Sequence, residues 1–376
     1  MDGYLTAEVS AGAVRWNLAL LRQRLSGRTQ LCAAVKADCY GHGLRTLVNV
    51  IAPQVDCLGV ATAEEALLLR RLGYDRPVLM FFSPCANGDE SSLRQTLEEL
   101  IARRVTLTLA AAEEVAPVAQ AARRIGRPAA VHIKVDSGMG RSGVPAEKLP
   151  DLIDAIRTHR EVVLEGLYSH LATADEADKH AAQEQLARFT AAVADVGGGA
   201  GLTLHLANSA GAIDLPQTHL DMVRPGIAVY GYQPSDAMTH RLPLRPALRV
   251  TGKLMQIKTV PAGSRCGYGL THTFRRDSRV GLVPVGYADG YLRCFSGRTT
   301  MRVAGRDVPV CGRVSMDQTT IDLTDVPAAQ VGDEVEIISA DPAAPHSVEC
   351  LARLAGTIPY EITCRLGPRV RRVLVD

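Results

Sequence analysis

Residues 31–43 read Leu-Cys-Ala-Ala-Val-Lys-Ala-Asp-Cys-Tyr-Gly-His-Gly. Five apolar residues run into Lys36, a polar turn with two glycines follows, and Leu44 opens a new apolar pattern. A short apolar run bounded by turn signals reads as a buried strand. Lys36 therefore stands at the carboxyl end of that strand, where α/β folds collect their chemistry. Desolvation there lowers a lysine's pKa and leaves its amine a nucleophile toward a carbonyl cofactor. Tyr40, four residues on, is within reach of a bound phosphate. A lone lysine at a strand end more often just snorkels to water, so the chemistry depends on what other segments bring to the same place.

Outward from this stretch the pattern repeats. Apolar, often β-branched runs recur at 57–61, 78–82, 105–109, 130–135, 162–167, 203–207 and 222–230. Between most of them lie alanine- and leucine-rich amphipathic segments, at 63–72, 111–124, 147–158 and 176–196; the stretch 84–101 has no clear pattern. With 31–35 included, strands alternate with helices in the arithmetic of a (β/α)₈ TIM-type barrel, an α/β fold. Strand count alone leaves an open doubly wound sheet as the alternative. Ahead of the first run, residues 4–9 alternate like a strand, and Ser10 caps a helix with Val14, Leu18, Leu21 and Leu25 at helical spacing.

The texture changes at 234–246, where Pro234, Pro243 and Pro246 punctuate a polar linker. Alternating runs follow at 247–260, 279–285, 299–304, 307–311, 318–323 and 333–339, with a hairpin turn at Gly305-Arg306-Asp307 and one helix at 347–355. The expected division is a barrel over 10–240 and a mostly antiparallel β domain over 241–376, which residues 1–9 join as a strand.

Composition narrows the function. The chain has 376 residues, 47% hydrophobic and 22% charged, with a net charge of +2, an ordinary soluble balance with no call for nucleic acid or an acidic membrane surface. Nine cysteines without a CxxC pair or zinc spacing read as reduced thiols of a cytoplasmic protein, with no metal site. The first residues lack a signal-peptide pattern, and no apolar stretch approaches a membrane span. Arg365, Arg369, Arg371 and Arg372 alternate with apolar residues and are expected on the solvent side of a strand.

The unusual polar residues fall at strand ends. The first run ends in Lys36; the fifth holds Lys134 and Asp136, then Gly-Met-Gly-Arg141; the sixth ends in His170, the seventh in Asn208-Ser209, the eighth in Arg224-Pro225-Gly226. In a barrel these ends share one rim. Loops seven and eight commonly bind phosphate through backbone amides, and Ser209, Gly226 and Ile227 suit that task.

These segments resemble the alanine racemase family along nearly the whole chain. The resemblance covers Val-Lys36-Ala-Asp-Cys-Tyr-Gly-His-Gly, Ile-Lys134-Val-Asp-Ser-Gly-Met-Gly-Arg, Ser-His170-Leu-Ala-Thr-Ala-Asp and Val-Arg224-Pro-Gly-Ile-Ala-Val-Tyr-Gly. In the second domain it covers Cys-Gly-Tyr268-Gly, Val-Gly-Tyr287-Ala-Asp-Gly, Val-Ser-Met316-Asp317-Gln and Ile-Pro-Tyr360-Glu. Cys39 departs from the alanine usual in the first motif.

The resemblance implies a barrel plus β domain, a head-to-tail homodimer, and pyridoxal 5′-phosphate (PLP) bound through an imine to Lys36. It implies interconversion of L- and D-alanine by two bases, Lys36 and the partner chain's Tyr268. A phenol needs positive charge nearby for this work, and His170 and Arg224 are the candidates. The same resemblance puts Arg224 against the pyridine nitrogen and Arg141 against the cofactor phenolate and substrate carboxylate. Tyr40, Asn208, Ser209, Gly226, Ile227 and Tyr360 fall among the cofactor contacts. Met316 and Asp317 become the partner's share of the substrate pocket, with Tyr287 near its entrance. Lys134 matches a lysine that is carbamylated in many relatives; the alternative is a plain lysine paired with Asp136. Tyr360 leaves room for little more than a methyl group, which favours alanine over a serine or broader-specificity racemase. A PLP-dependent basic amino-acid decarboxylase would use a cysteine, Cys311 or Cys364, but the Tyr268 and Met316-Asp317 motifs argue against it. A PLP-carrier protein would lack the β domain. The resemblance also implies D-alanine biosynthesis for the cell wall.

Overall fold

In the computed structural model, which describes residues 4–84 and 89–376, the apolar runs of the first part are parallel strands. They span Gln30–Ala34, Cys57–Val60, Val78–Met80, Leu107–Leu109, Ala129–Asp136, Val162–Tyr168, Thr203–His205 and Met222–Val223. Each pairs with its sequence neighbour, and the last pairs with the first through Met222–Gln30 and Val223–Leu31. A parallel bridge between Leu79 and Thr106 joins the third strand to the fourth, so the sheet closes into a barrel. Closure overturns the open-sheet alternative.

Cys32, Cys57, Leu79 and Met222, from four of these strands, form a small apolar cluster with Phe81 against it. Between strands, helices such as Ala63–Arg71 and Val115–Ile125 cover the barrel. The segment left unclear contains the helix Glu90–Ala102, capped by Asp89 through the amides of Ser91 and Ser92; residues 85–88 lie outside the described residues. Helix Ala11–Gln23 starts where Ser10 accepts the Ala13 amide and buries Val14, Leu18 and Leu21.

The second domain is a nine-stranded sheet. Leu5–Ser10 lies inside it, antiparallel to Leu248–Lys253 and parallel to Arg371–Val375. The proline-rich segment before this sheet is tied down. Asn17 donates to the Val229 and Arg245 carbonyls and accepts the Arg245 amide, while Arg245 lies 3.9 Å over the Trp16 ring.

Three expectations need correction. The hairpin turns at Ala304-Gly305, both with positive φ, because Val303 pairs directly with Arg306; a two-residue loop needs that twist. A short helix, Pro359–Cys364, carries Tyr360 where no helix was expected, its apolar pattern being too short to read. Arg372 is not a solvent-facing strand arginine; its guanidinium donates only to backbone carbonyls. Among the described residues no helix is long and apolar enough to cross a membrane.

Candidate active site

Strand one runs through Ala34 and Val35 into a backbone that L residues avoid. Ala37, Asp38, Cys39 and Tyr40 all have φ between 51° and 55°, and Gly41 follows at 83°. Left-handed backbone costs non-glycine residues roughly 1–2 kcal/mol each, so the turn has to be held by its surroundings. Glu65, in the capping box of helix Ala63–Arg71, accepts the Ala37 amide at 2.6 Å. Asp38 accepts the Leu44 amide at 2.6 Å. Gly41 has no room for a side chain, because a Cβ there would run into the Thr363 carbonyl. The turn aims Lys36 and Tyr40 into one cavity at the carboxyl ends of the strands.

That cavity, of about 900 Å³, is walled by Lys36, Tyr40, Lys134, Arg141, His170, Asn208, Ser209, Arg224, Gly226 and Tyr360. Thus residues from five strand ends and from the second domain meet in one place. Ile227 lies fully buried in the same loop, behind the wall. Burial lowers the Lys36 pKa, and Arg141 adds to the effect. Lys134 is pushed down to about 8, mainly by burial and then by Arg141 and Arg224. Its amine donates to Ser142 at 2.6 Å, while Asp136 accepts the Gly138 and Gly140 amides.

Ser209 and Gly226 form a cradle. Asn208 caps the short helix Ser209–Asp214 by accepting the Gly211 amide. The Ser209 hydroxyl accepts the Gly226 amide at 2.8 Å and the Ala228 amide at 3.4 Å. A Cβ on Gly226 would overlap the Tyr40 hydroxyl, so only glycine lets phenol and backbone close together.

Arg224 is buried, and its pKa is lowered by burial to about 10, so it stays charged at neutral pH. It donates to the Ser169 carbonyl and to His205 Nδ1, each at 2.6 Å. Because a guanidinium only donates, His205 has its proton on Nε2. That atom lies 2.8 Å from His132 Nδ1, which accepts. Burial, then the Arg224 charge, holds His132 down at about 4 and His205 well below its ordinary value. Both rings are neutral at pH 7, and the network rigidly aims one cation.

His170 is held well below the imidazole range by burial, Arg224 and Arg141. Of the two candidates for positive charge, His170 and Arg224, the surroundings of this chain favour the charged form on Arg224. His132, His205, Tyr168 and Thr108 escaped the sequence reading. The signal for them was present: polar residues at alternate positions inside apolar strands. Tyr168 stacks on His205 at 4.7 Å and shares a 2.9 Å hydrogen bond with Thr108.

Tyr268, Tyr287, Met316 and Asp317 lie elsewhere, exposed on the second domain. Three loops bring them near one another. Gly267, before Tyr268, packs so close that a Cβ would lie 2.8 Å from the Arg313 amide. The chain continues to Met316, whose carbonyl accepts the Ala288 amide next to Tyr287. Tyr268 is 69% exposed, Met316 53% and Leu270 50%, an apolar edge facing solvent in the single chain.

This combination of a (β/α)₈ barrel, a desolvated lysine at its mouth and a serine–glycine cradle opposite defines a barrel enzyme built around an amine nucleophile. Residues 9–234 match the alanine racemase N-terminal domain and residues 247–374 the alanine racemase C-terminal domain. The chain belongs to the alanine racemase family, among amino-acid racemases, which are isomerases. The alanine racemase of Desulfovibrio desulfuricans is 38% identical over 380 residues, covering 100% of this chain and 99% of that protein. Among solved structures, an alanine racemase of Clostridium difficile 630 matches with a TM-score of 0.92 at 32% identity, covering 100% of this chain and 96% of that one. The alanine racemase of the D-cycloserine producer Streptomyces lavendulae matches with a TM-score of 0.90 at 35% identity, covering 100% and 98%.

Proposed function

We propose that this protein interconverts L-alanine and D-alanine with PLP held in the barrel mouth. It does so as a homodimer whose second domains complete each other's sites. The observation that supports this most is one cavity uniting the desolvated Lys36, two arginines and the Ser209–Gly226 cradle. The donor set suits PLP: the Tyr40 and Ser209 hydroxyls and the Gly226 backbone line the same cavity as Lys36, and the missing Cβ at Gly226 is what lets the Tyr40 hydroxyl reach that wall. Lys36 would hold the cofactor's aldehyde carbon; Tyr40, Ser209, Gly226, Ile227 and Tyr360 would hold its phosphate, with Asn208 fixing the Ser209 helix. When bound, PLP supplies an electron sink that makes an amino acid's α-hydrogen acidic.

The chain's own residues then decide where that proton goes. Lys36 Nζ, whose pKa burial lowers, takes or returns it on one face. The partner's Tyr268 hydroxyl does so on the other, with Met316 and Asp317 of the same domain beside it and Tyr287 at the entrance. Arg141 binds the substrate carboxylate. Arg224 cannot accept a proton, so beside a bound cofactor's ring nitrogen it would act as a donor only and would limit how much charge the ring takes up. Lys134, with its pKa near 8, has enough neutral amine to add CO₂, releasing a proton and leaving a carbamate that would pair with Arg141. A high-resolution density map shows or excludes that group.

The test is chiral chromatography of L-alanine and L-serine incubated with the protein and PLP. D-alanine should form, with deuterium at the α-carbon in D₂O. No D-alanine overturns the reading, and D-serine at an equal rate moves it to a broader-specificity racemase.

A further inference from the structure

We propose that Arg372, on the last strand of the second domain, is a positioning residue for the left-handed turn that presents Lys36 and Tyr40. The inference rests on the reading of those two side chains as cofactor contacts. Its Nε donates to the Gly41 carbonyl at 3.0 Å. The remaining donors go to the carbonyls of Leu366, Gly367 and Val370, each at 2.7 Å. One guanidinium thus joins the end of the turn to the loop between helix Pro359–Cys364 and strand Arg371–Val375.

Sterics point the same way. A Cβ on Gly43 would lie 3.1 Å from the Arg372 Cγ, so glycine leaves a slot for the arginine stem. On the other side, Gly41 is pressed against Thr363, on the helix that carries Tyr360. The turn is therefore clamped between two pieces of the second domain of its own chain. Strand Arg371–Val375 does not need this side chain for its own place, because its backbone pairs in register with Leu5–Ser10. Four consecutive non-glycine residues at positive φ do need an outside hold. Within the barrel the side chains of Glu65, Asp38 and His42 grip the segment, His42 through the Cys39 and Tyr40 carbonyls at 3.0 Å, and Arg372 adds a hold from the second domain at its Gly41 end. The second domain would thus serve two sites: the partner's, through Tyr268, and its own, through Arg372.

The experiment compares wild type, Arg372→Met and Arg372→Lys by amide hydrogen exchange of residues 37–43 without cofactor, then by PLP titration of the apoprotein. Arg372→Met should exchange faster at these amides. If the turn is then formed about a tenth of the time, PLP binds roughly tenfold more weakly. The rise in melting temperature on adding PLP should shrink in step. Arg372→Lys, which still donates to carbonyls, should recover part of both effects. Unchanged exchange in Arg372→Met overturns the proposal, and so does faster exchange with unchanged PLP affinity. A merely structural arginine would lower the apoprotein's melting temperature and leave the PLP-dependent rise intact. Failure of the wild type to bind PLP would overturn the cofactor reading instead, while the exchange data would still decide whether Arg372 holds the turn.

Discussion

At position 36, burial acts before any neighbour does, and Arg141 then pushes the amine pKa in the same direction while Glu65 opposes it. Removing the Arg141 charge favours the ammonium form, so the Lys36 pKa rises. Since the base must be unprotonated, the acid limb of the pH–kcat/KM profile of Arg141→Gln should move to higher pH; an unmoved limb would show that Arg141 does not tune the amine. Tyr360 is judged by size. Its ring lies 5.9 Å from that of Tyr40 in the cavity wall, so Tyr360→Ala should gain activity on amino acids larger than alanine. No gain refutes steric gating. These residues were legible in the chain because each ends a strand or sits in a motif. His132 and His205 left a trace, as polar residues at alternate positions in apolar strands, but their role was not legible, since such a histidine looks like any core polar residue until the closed barrel brings it to Arg224.

Among the elements, the left-handed turn is the least tolerant. Gly41→Ala would put a methyl into the Thr363 carbonyl at a positive φ. The expected result is loss of PLP binding, by titration, in protein that still folds. The short helix after strand seven ends in Asp214, whose buried carboxylate bonds Lys179 at 2.8 Å and His240 at 2.7 Å. It also accepts the Thr239 and His240 amides, joining loop six, loop seven and the linker. Burial raises its pKa, but Lys179, His240 and the amides outweigh that and hold it at about 2. The folded-state pKa lies below the unfolded value of about 3.9, so Asp214 stabilises the protein above that pH and the benefit is lost as pH falls toward 2. Asp214→Ala should cost about 3–5 kcal/mol in chemical denaturation at pH 7, because Lys179 is left buried without its partner. The Ser10 cap and the barrel strands could be read from pattern alone; the knot at Asp214 could not, since its members are far apart in the chain.

On the scale of the molecule, one chain has the amine in its barrel mouth and the phenol on an exposed edge of its other domain. The proposed dimer predicts complementation. Lys36→Ala and Tyr268→Ala homodimers should each be inactive, and remixing the two should restore about a quarter of wild-type activity, as half the dimers are mixed and one of their two sites is intact. Steady-state rates after denaturation and refolding of the mixture check this; no recovery would place both groups in one chain's site.

Order and period along the chain were enough to determine the fold class, a barrel followed by a mostly antiparallel sheet, because the two leave different hydrophobic periods in their strands. Lys36, Arg141, Ser209 and Arg224 were also legible there, as polar residues where apolar runs stop. Closure of the barrel, the neutral histidine pair under Arg224, the handedness of the turn after Lys36 and the grip of Arg372 on it were decided only by tertiary structure. Each depends on atoms distant in sequence meeting at hydrogen-bond distance or colliding, and local pattern does not encode that.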